Sequence, residues 1–408
     1  MDFDRGRKKN MRTVPMMEFP LAEYVMRKEK LQQQMVNAGV DGVLFTQEEN
    51  LRYFCGARST AWEDKTTPVC VLVVAQDGRM ALVVSARAES TCRYTACLEE
   101  NEFISFGSEK PGAPGTLAQA VVEAFSKLRL NTKRVGVESG MVARIAIPYM
   151  EYCAIQQSLT GCTFVPFAEY IWQIRSIKSP CEVEVFRKVC DISGQCYQKA
   201  FDSVVLDKTT EKDVYHVFAQ EAFRLGADSM PPLIVQFGKG RYTQANCPPS
   251  DKVITSKKHE FLFVDTGPAL KGYITDTIRM AVVDSMTPRQ AELRKMADEA
   301  LEFCLDMIHD GVNCRDVSAK MDAMIEAKGF GPWNQTKGWT GHGLGLDIHE
   351  PPTLSCDCDM LIRSGMILSV EPLMMDKENG IIATEFNILV TDTGYINLTP
   401  WLRDMVIL

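Results

Sequence analysis

No stretch of this sequence is long and apolar enough to span a bilayer, so a transmembrane helix is not expected. The N-terminal MDFDRGRKKNMRTVPMMEF has basic residues but no apolar core behind them, which argues against a secretory signal. Positive charge is not in excess either. With 45 Lys and Arg against 53 Asp and Glu, the net charge of -8 excludes a general binder of nucleic acid or of anionic membrane, since both need a cationic surface. Tandem repeats, low-complexity tracts and long charge runs are missing, and 46% apolar with 24% charged residues is the make-up of an ordinary globular protein. The 14 cysteines are scattered, and the closest pair, Cys356 and Cys358 in SCDCD, lacks the spacing of a zinc ribbon or a thioredoxin-type site. Reduced thiols in a cytoplasmic protein are therefore expected.

A chain of 408 residues exceeds what one core usually supports, so two domains are expected. Mixed charged and apolar residues at helical spacing run from Pro20 to Gly39. DGVLFT, VCVLVVAQ and RMALVVSA then read as strands, with a Gln-Asp-Gly turn between the last two. A helix near Ile145 to Leu159 and a strand TFVPF close this α/β half. In IRSIKSPCEVEVFRK, Ser179 can cap a helix, Pro180 suits its first turn and Glu182 completes a capping box. The boundary is placed just before it, giving domains 1–174 and 175–408. Further helices are expected from Thr210 to Leu225, from Thr287, and along RDVSAKMDAMIEAKGF. PLIVQFG, EFLFVDTG, YITDTIRMAVV, MILSVEPLMM and ATEFNILVTD read as strands.

The sharpest feature is a repeated oddity. Asp265 in FLFVDTG, Asp276 in GYITDTIRM, Glu371 in ILSVEPLMM and Glu385 in IIATEFNILV each place a carboxylate among apolar residues of an expected strand. A buried carboxylate is costly unless paired, hydrogen-bonded or bound to a cation. Beside these stands GWTGHGLGLDIHEPP, which sets His342 among glycines and puts His349 seven residues on. Glycines there let the backbone approach something closely. Four carboxylates and one imidazole form a donor set suited to Mn, Co, Zn or Fe(II), and bridging carboxylates suit two ions.

In order and spacing, FVDTG, GYITD, GHGLGLDIHEPP, SVEP and the late glutamate resemble the pita-bread metallopeptidases of family M24. The α/β first half and RSIKSPCEVEVFRK are similar to the aminopeptidase P, prolidase and creatinase branch. The resemblance implies an α+β protein, with a pita-bread catalytic domain behind a smaller creatinase-like N-terminal domain. It implies that Asp265, Asp276, His342, Glu371 and Glu385 hold two divalent ions, manganese first with zinc, cobalt or iron as alternatives, Asp276 and Glu385 bridging. It further implies that Glu371 takes a proton from an activated water and passes it to the leaving amine, and that His349 contacts substrate near the scissile bond. A homodimer and a small peptide substrate of the Xaa-Pro kind complete the picture.

Two positions depart from the family. Where its peptidases carry a histidine upstream of the first aspartate, RYTQANCPPSDKVI offers Asn246 or Cys247, and asparagine cannot carry a proton. Where they show an arginine before the last glutamate and an aspartate after it, this chain has Ala383 and Phe386. The alternative reading is thus a non-peptidase on the same scaffold: a lyase of the dimethylsulfoniopropionate type, or an ectoine or guanidino-type hydrolase. In the first half, Arg58 and Trp62 are candidates to reach a substrate pocket.

Overall fold

The computed structural model describes residues 11–63, 69–108, 112–231, 234–238, 247–330, 339–376 and 378–408. The chain divides into two compact units, Met1–Arg175 and Ser176–Leu408.

The first unit contains α1 (Leu21–Ala38), β1 (Gly42–Phe45), α2 (Glu48–Cys55), β2 (Cys70–Ala75), β3 (Met80–Ser85), α3 (Glu89–Thr95) and β4 (Phe103–Phe106). It continues with α4 (Leu117–Leu128), β5 (Arg134–Val137), α5 (Tyr149–Ser158), β6 (Thr163–Pro166) and α6 (Ala168–Arg175). The strands form one mixed sheet in the order β4-β3-β2-β1-β5-β6. β1 to β3 are buried along their length, as strands covered on both faces must be. One covering layer is built by Val121, Phe125 and Leu128 of α4 and Ile155 of α5, packed on Leu44, Val71 and Val83. Behind the sheet's end, the buried Glu138 accepts hydrogen bonds from the backbone N–H of Gln47 at 2.9 Å, from the Thr46 hydroxyl at 2.6 Å and from Asn50 Nδ2 at 2.6 Å. It thereby caps α2 from outside that helix. Arg58 is committed locally, its guanidinium 2.7 Å from Glu18 Oε1 and 2.6 Å from the Met16 carbonyl.

The second unit opens with α7 (Pro180–Asp202), whose capping box between Ser179 and Glu182 is as expected, and α8 (Glu211–Arg224). Then come β7 (Ile234–Phe237), β8 (Phe261–Thr266), β9 (Ala269–Leu270), β10 (Tyr273–Ile274), β11 (Thr277–Val282), α9 (Pro288–Met307) and α10 (Cys314–Ala327). The chain ends with β12 (Trp339–Gly343), β13 (Glu350–Ser355), β14 (Ile367–Val370), β15 (Met374–Asp376), β16 (Gly380–Ile382), β17 (Phe386–Thr391), β18 (Gly394–Asn397) and β19 (Val406–Ile407). Two sheets matter for the site: β19-β11-β8-β7 and β13-β12-β14-β17-β18. Tyr197, Phe201 and Phe218 of α7 and α8 pack on the first, through Leu262, Val264 and Ala281. Leu301 of α9 and Met321 and Ile325 of α10 share a core with Leu354, Leu368 and Ile388 of the second.

YITDTIRMAVV is two strands rather than one, broken at Thr275 and Asp276, and MILSVEPLMM likewise splits into β14 and β15 around Glu371. Of the four acidic residues expected within strands, Asp265 alone lies inside one. Asp276, Glu371 and Glu385 occupy the residue just before or just after a strand. Strand ends are free of the strict two-residue alternation, so side chains there can converge from different directions.

Candidate metal centre

The two sheets deliver five ionisable groups to one place. Ligand atoms of Asp265, Asp276 and Glu385 lie within 4.8 Å of one another, as do those of His342, Glu371 and Glu385, and those of Asp276, His342 and His349. His342 Nε2 is 3.1 Å from Glu371 Oε1 and 3.6 Å from Asp276 Oδ2. His342 and Glu385 are fully or nearly buried, at 2% and 0% exposure.

Local hydrogen bonds fix each group. Asn387, on β17, pairs its amide with the Asp276 backbone: Asp276 N–H donates to Asn387 Oδ1 at 3.2 Å, and Asn387 Nδ2 donates to the Asp276 carbonyl. This reciprocal pair ties the first sheet to the second at the centre. The Ser369 hydroxyl on β14 donates to Glu385 Oε1. Behind Glu385, the buried Arg279 donates to the carbonyls of Glu385, of Thr399 at 2.7 Å and of Trp401 at 2.9 Å, with its guanidinium 4.4 Å from the Trp401 ring centroid. It leaves a cation behind Glu385 without taking that carboxylate's oxygens. Tyr197 of α7 donates its hydroxyl to the Thr277 carbonyl, securing the β8 and β11 pair from outside.

The glycines around His342 answer to neighbouring backbone and to one carboxylate, not to the centre itself. A Cβ on Gly341 would stand 2.1 Å from the Ser369 carbonyl oxygen, where β12 runs against β14. A Cβ on Gly345 would collide with the Glu350 carboxylate at 2.1 Å. Glu350 is buried in turn. It accepts from the N–H of Leu346 at 3.0 Å and of Asp347 at 3.3 Å, and its Oε2 is 3.2 Å from Lys178 Nζ, both side chains being 1% exposed. This ion pair fastens the turn that carries His349, whose ring centroid is 4.2 Å from that of His342. His342 therefore stands on a strand and the exposed His349 on the following turn, where one shared loop was expected.

The electrostatics are those of an anionic pocket. Burial, then the neighbouring carboxylates, push Asp265 and Glu385 well above the usual carboxylate range, and burial also raises Glu371. Against burial, which lowers it, Asp276 and Glu371 raise the His342 pKa to about 10, so the imidazole itself is made to serve as a cation. His349 goes the other way: crowding strips part of its hydration and the adjacent His342 charge opposes its own. Among the described residues, the buried Glu385 Oε2 makes no hydrogen bond, and His342 Nε2 makes none of good geometry, its nearest groups being the carboxylates of Glu371 and Asp276. Orphan polar atoms aimed into a cluster of carboxylates are what a hard or borderline divalent cation satisfies, so the donor set fits such an ion.

Asn246 falls outside the described residues. Trp62 sits half-buried in a short 3-10 helix, Thr60–Glu63, of the first unit, and is not one of the groups gathered here. Ala383 is fully buried and brings no charge. Sequence reasoning missed Ser369, Asn387, Arg279 and the Lys178–Glu350 pair. The signal for the first three was the one used for the acids: a polar residue inside an apolar strand, in ILSVEP, FNILV and TIRMAVV.

The sequence matches two family descriptions, metallopeptidase family M24 over residues 184–392 and the creatinase/prolidase N-terminal domain over residues 27–177. It is 26% identical to the uncharacterized peptidase YqhT of Bacillus subtilis, over 94% of this chain and 100% of that protein. To the Xaa-Pro dipeptidase of Pyrococcus furiosus it is 23% identical, over 93% and 99%. Its fold is that of the Xaa-Pro dipeptidase from Bacillus anthracis, at 24% identity and a TM-score of 0.80 over 94% of this chain and 100% of that one. It is equally that of the X-Pro aminopeptidase from Thermotoga maritima, at 19% identity and 0.78 over 93% and 99%.

Proposed function

The chain belongs to metallopeptidase family M24, and from that membership we propose that it hydrolyses the amide bond before proline in a dipeptide or short peptide, using two divalent ions. The observation that carries this reading is the buried convergence of Asp265, Asp276, His342, Glu371 and Glu385, with Glu385 Oε2 left without a hydrogen-bond partner and His342 Nε2 with none of good geometry. These five residues would hold the ions, with Asp276 and Glu385 shared between them as the family resemblance implies; both, like His342, belong to two of the three-residue groups. Manganese is the first choice for so oxygen-rich a set. Bound there, such ions polarise the scissile carbonyl and bring the pKa of water toward neutrality.

The remaining steps belong to the chain's own side chains. Glu371, its pKa raised by burial, is suited to take a proton and return it to the leaving amine nitrogen. His342 Nδ1 lies 3.0 Å from the Gly343 carbonyl; an imidazole that donates there and yields its second proton to a bound ion's charge would offer Nε2 as a ligand. His349, exposed and with a lowered pKa, is largely neutral near pH 7 and can donate to or accept from a substrate amide. Asn246 and Trp62 are proposed as further substrate contacts. With Ala383 in place of a cation, recognition of a free C-terminal carboxylate falls to other groups.

The test is a panel of Xaa-Pro dipeptides, their C-terminal amides and tripeptides, given to manganese-loaded protein. Release of proline or of the N-terminal residue is expected. Turnover of betaine-like or guanidino compounds, with none of any peptide, would transfer the assignment to a small-molecule enzyme of the same fold.

A further inference from the structure

Cys358, the second cysteine of SCDCD, meets a cysteine from a distant part of the chain. Cys314 is the first residue of α10 and is fully buried. Its N–H donates to the Met360 carbonyl at 3.0 Å, and the next N–H, of Arg315, donates to the Cys358 carbonyl at 3.1 Å. An isolated antiparallel bridge joins Asn313 to Leu361. The two segments therefore run side by side, and Cys358 packs against the same buried cluster that holds Cys314.

The two sulfurs differ in character. Cys358 is half-buried, so small solutes reach it from solvent. The neighbouring Cys314 first, and then the backbone amides of Met360 and Thr353, bring its thiol down to about 6 against the effect of burial. Its neighbour Cys358, and then burial, push Cys314 far up. One sulfur is reachable from solvent and its neighbour is buried behind it, the arrangement of the attacking and resolving members of an oxidisable pair.

We propose that Cys358 and Cys314 form a hydroperoxide-sensitive dithiol that closes to an internal disulfide between the start of α10 and the segment after β13. The Cys358 thiolate attacks one oxygen of the peroxide, breaking the O–O bond, so that a sulfenic acid forms and hydroxide leaves. The Cys314 sulfur then attacks the sulfenic sulfur. Its proton goes with the departing oxygen as water, and two electrons have passed from the two thiols to the peroxide. The cross-link falls one helical turn from Ser318, whose hydroxyl is 2.9 Å from Thr340 Oγ1 on the strand of His342. Oxidation would thus fasten the helix that backs the centre.

Full-length, metal-loaded protein treated with about one equivalent of hydrogen peroxide, alkylated and cleaved before aspartates decides the matter. Cys314 then sits on the fragment Asp310–Arg315 and Cys358 on Asp357–Cys358, separate from Cys356. The expected species is these two fragments joined, two hydrogens lighter than their sum, with both sites lost to alkylation. Cys314→Ser should abolish it and raise dimedone labelling of Cys358 several-fold. Full alkylation of both cysteines while others oxidise, or a bond from Cys358 to Cys356 instead, overturns the proposal. Both results are read in the wild-type protein, so a variant that folds poorly does not decide the outcome.

Discussion

Lys178→Met removes one half of a buried ion pair and leaves the other. Nζ and Glu350 Oε2 are 3.2 Å apart, and both side chains are 1% exposed. After the change Glu350 keeps two backbone donors, Leu346 and Asp347, but no longer has this cation. Breaking a buried pair from one side costs about 3–5 kcal/mol, most of it the stranded charge. For a unit of this size, roughly 2–4 °C is lost per kcal/mol, so thermal unfolding followed by circular dichroism should show a Tm lower by about 6–20 °C. The paired variant Lys178→Met, Glu350→Gln is the sharper measurement. Glutamine Oε1 still accepts from Leu346 and Asp347 while carrying no charge, so most of the loss should return. Activity should follow, because the same carboxylate holds the turn that presents His349. Should the double variant be as unstable as the two single changes added together, to within about 0.5 kcal/mol, the pair is not coupled and the argument fails.

Three other outcomes are expected. Metal analysis should find about two divalent ions per chain, as two-metal sites hold, and stripping them should lower stability by about 3 kcal/mol per ion, roughly 5–6 kcal/mol together, relative to protein at a hundredfold excess over Kd; an unchanged Tm with no metal bound would exclude the centre. Glu371→Gln should reduce kcat by about 10²–10⁴-fold with little change in KM, the range for loss of a proton-transfer group; wild-type turnover would place the proton carrier elsewhere. Burial outweighs its hydrogen bonds and pushes Glu138 up to about 7, so the native state holds a proton that the unfolded chain releases near pH 4–5. Stability from this group is present at low pH and is lost as pH rises through 7. The Tm of wild type relative to Glu138→Gln should therefore fall between pH 5 and pH 8, and a flat or rising difference contradicts it.

How much of this was legible beforehand depends on the kind of interaction. Capping signals are local, which is why Ser179 with Glu182, Thr210 and Thr287 each mark a helix start correctly. The acids were found because a charge among apolar residues has few stable explanations. Their placement at strand ends was not legible, since Asp276 and Glu371 sit in runs whose apolar character continues on both sides. What the glycines approach was not legible for a related reason. Gly345 makes room for Glu350, a partner visible in sequence only as a residue five positions on, and Gly341 for the backbone of β14, which no local pattern reveals. Lys178 with Glu350 is a pairing across most of the catalytic unit, and nothing near either residue announces the other.

The Asn387 clamp on Asp276 has a consequence for the order in which the protein is made. Asp265 and Asp276 belong to one sheet, His342, Glu371 and Glu385 to another, and the amide that locks the sheets together comes after all five. Glu385, the last donor, precedes Asn387 by two residues, so a nascent chain completes its donor set and the clamp that frames it together, near the end of synthesis. Uptake of metal would therefore be a late event in biogenesis, and ions held there would be gripped from both sheets, adding rivets to the joints that Asn387, Ser369 and Arg279 already make across them.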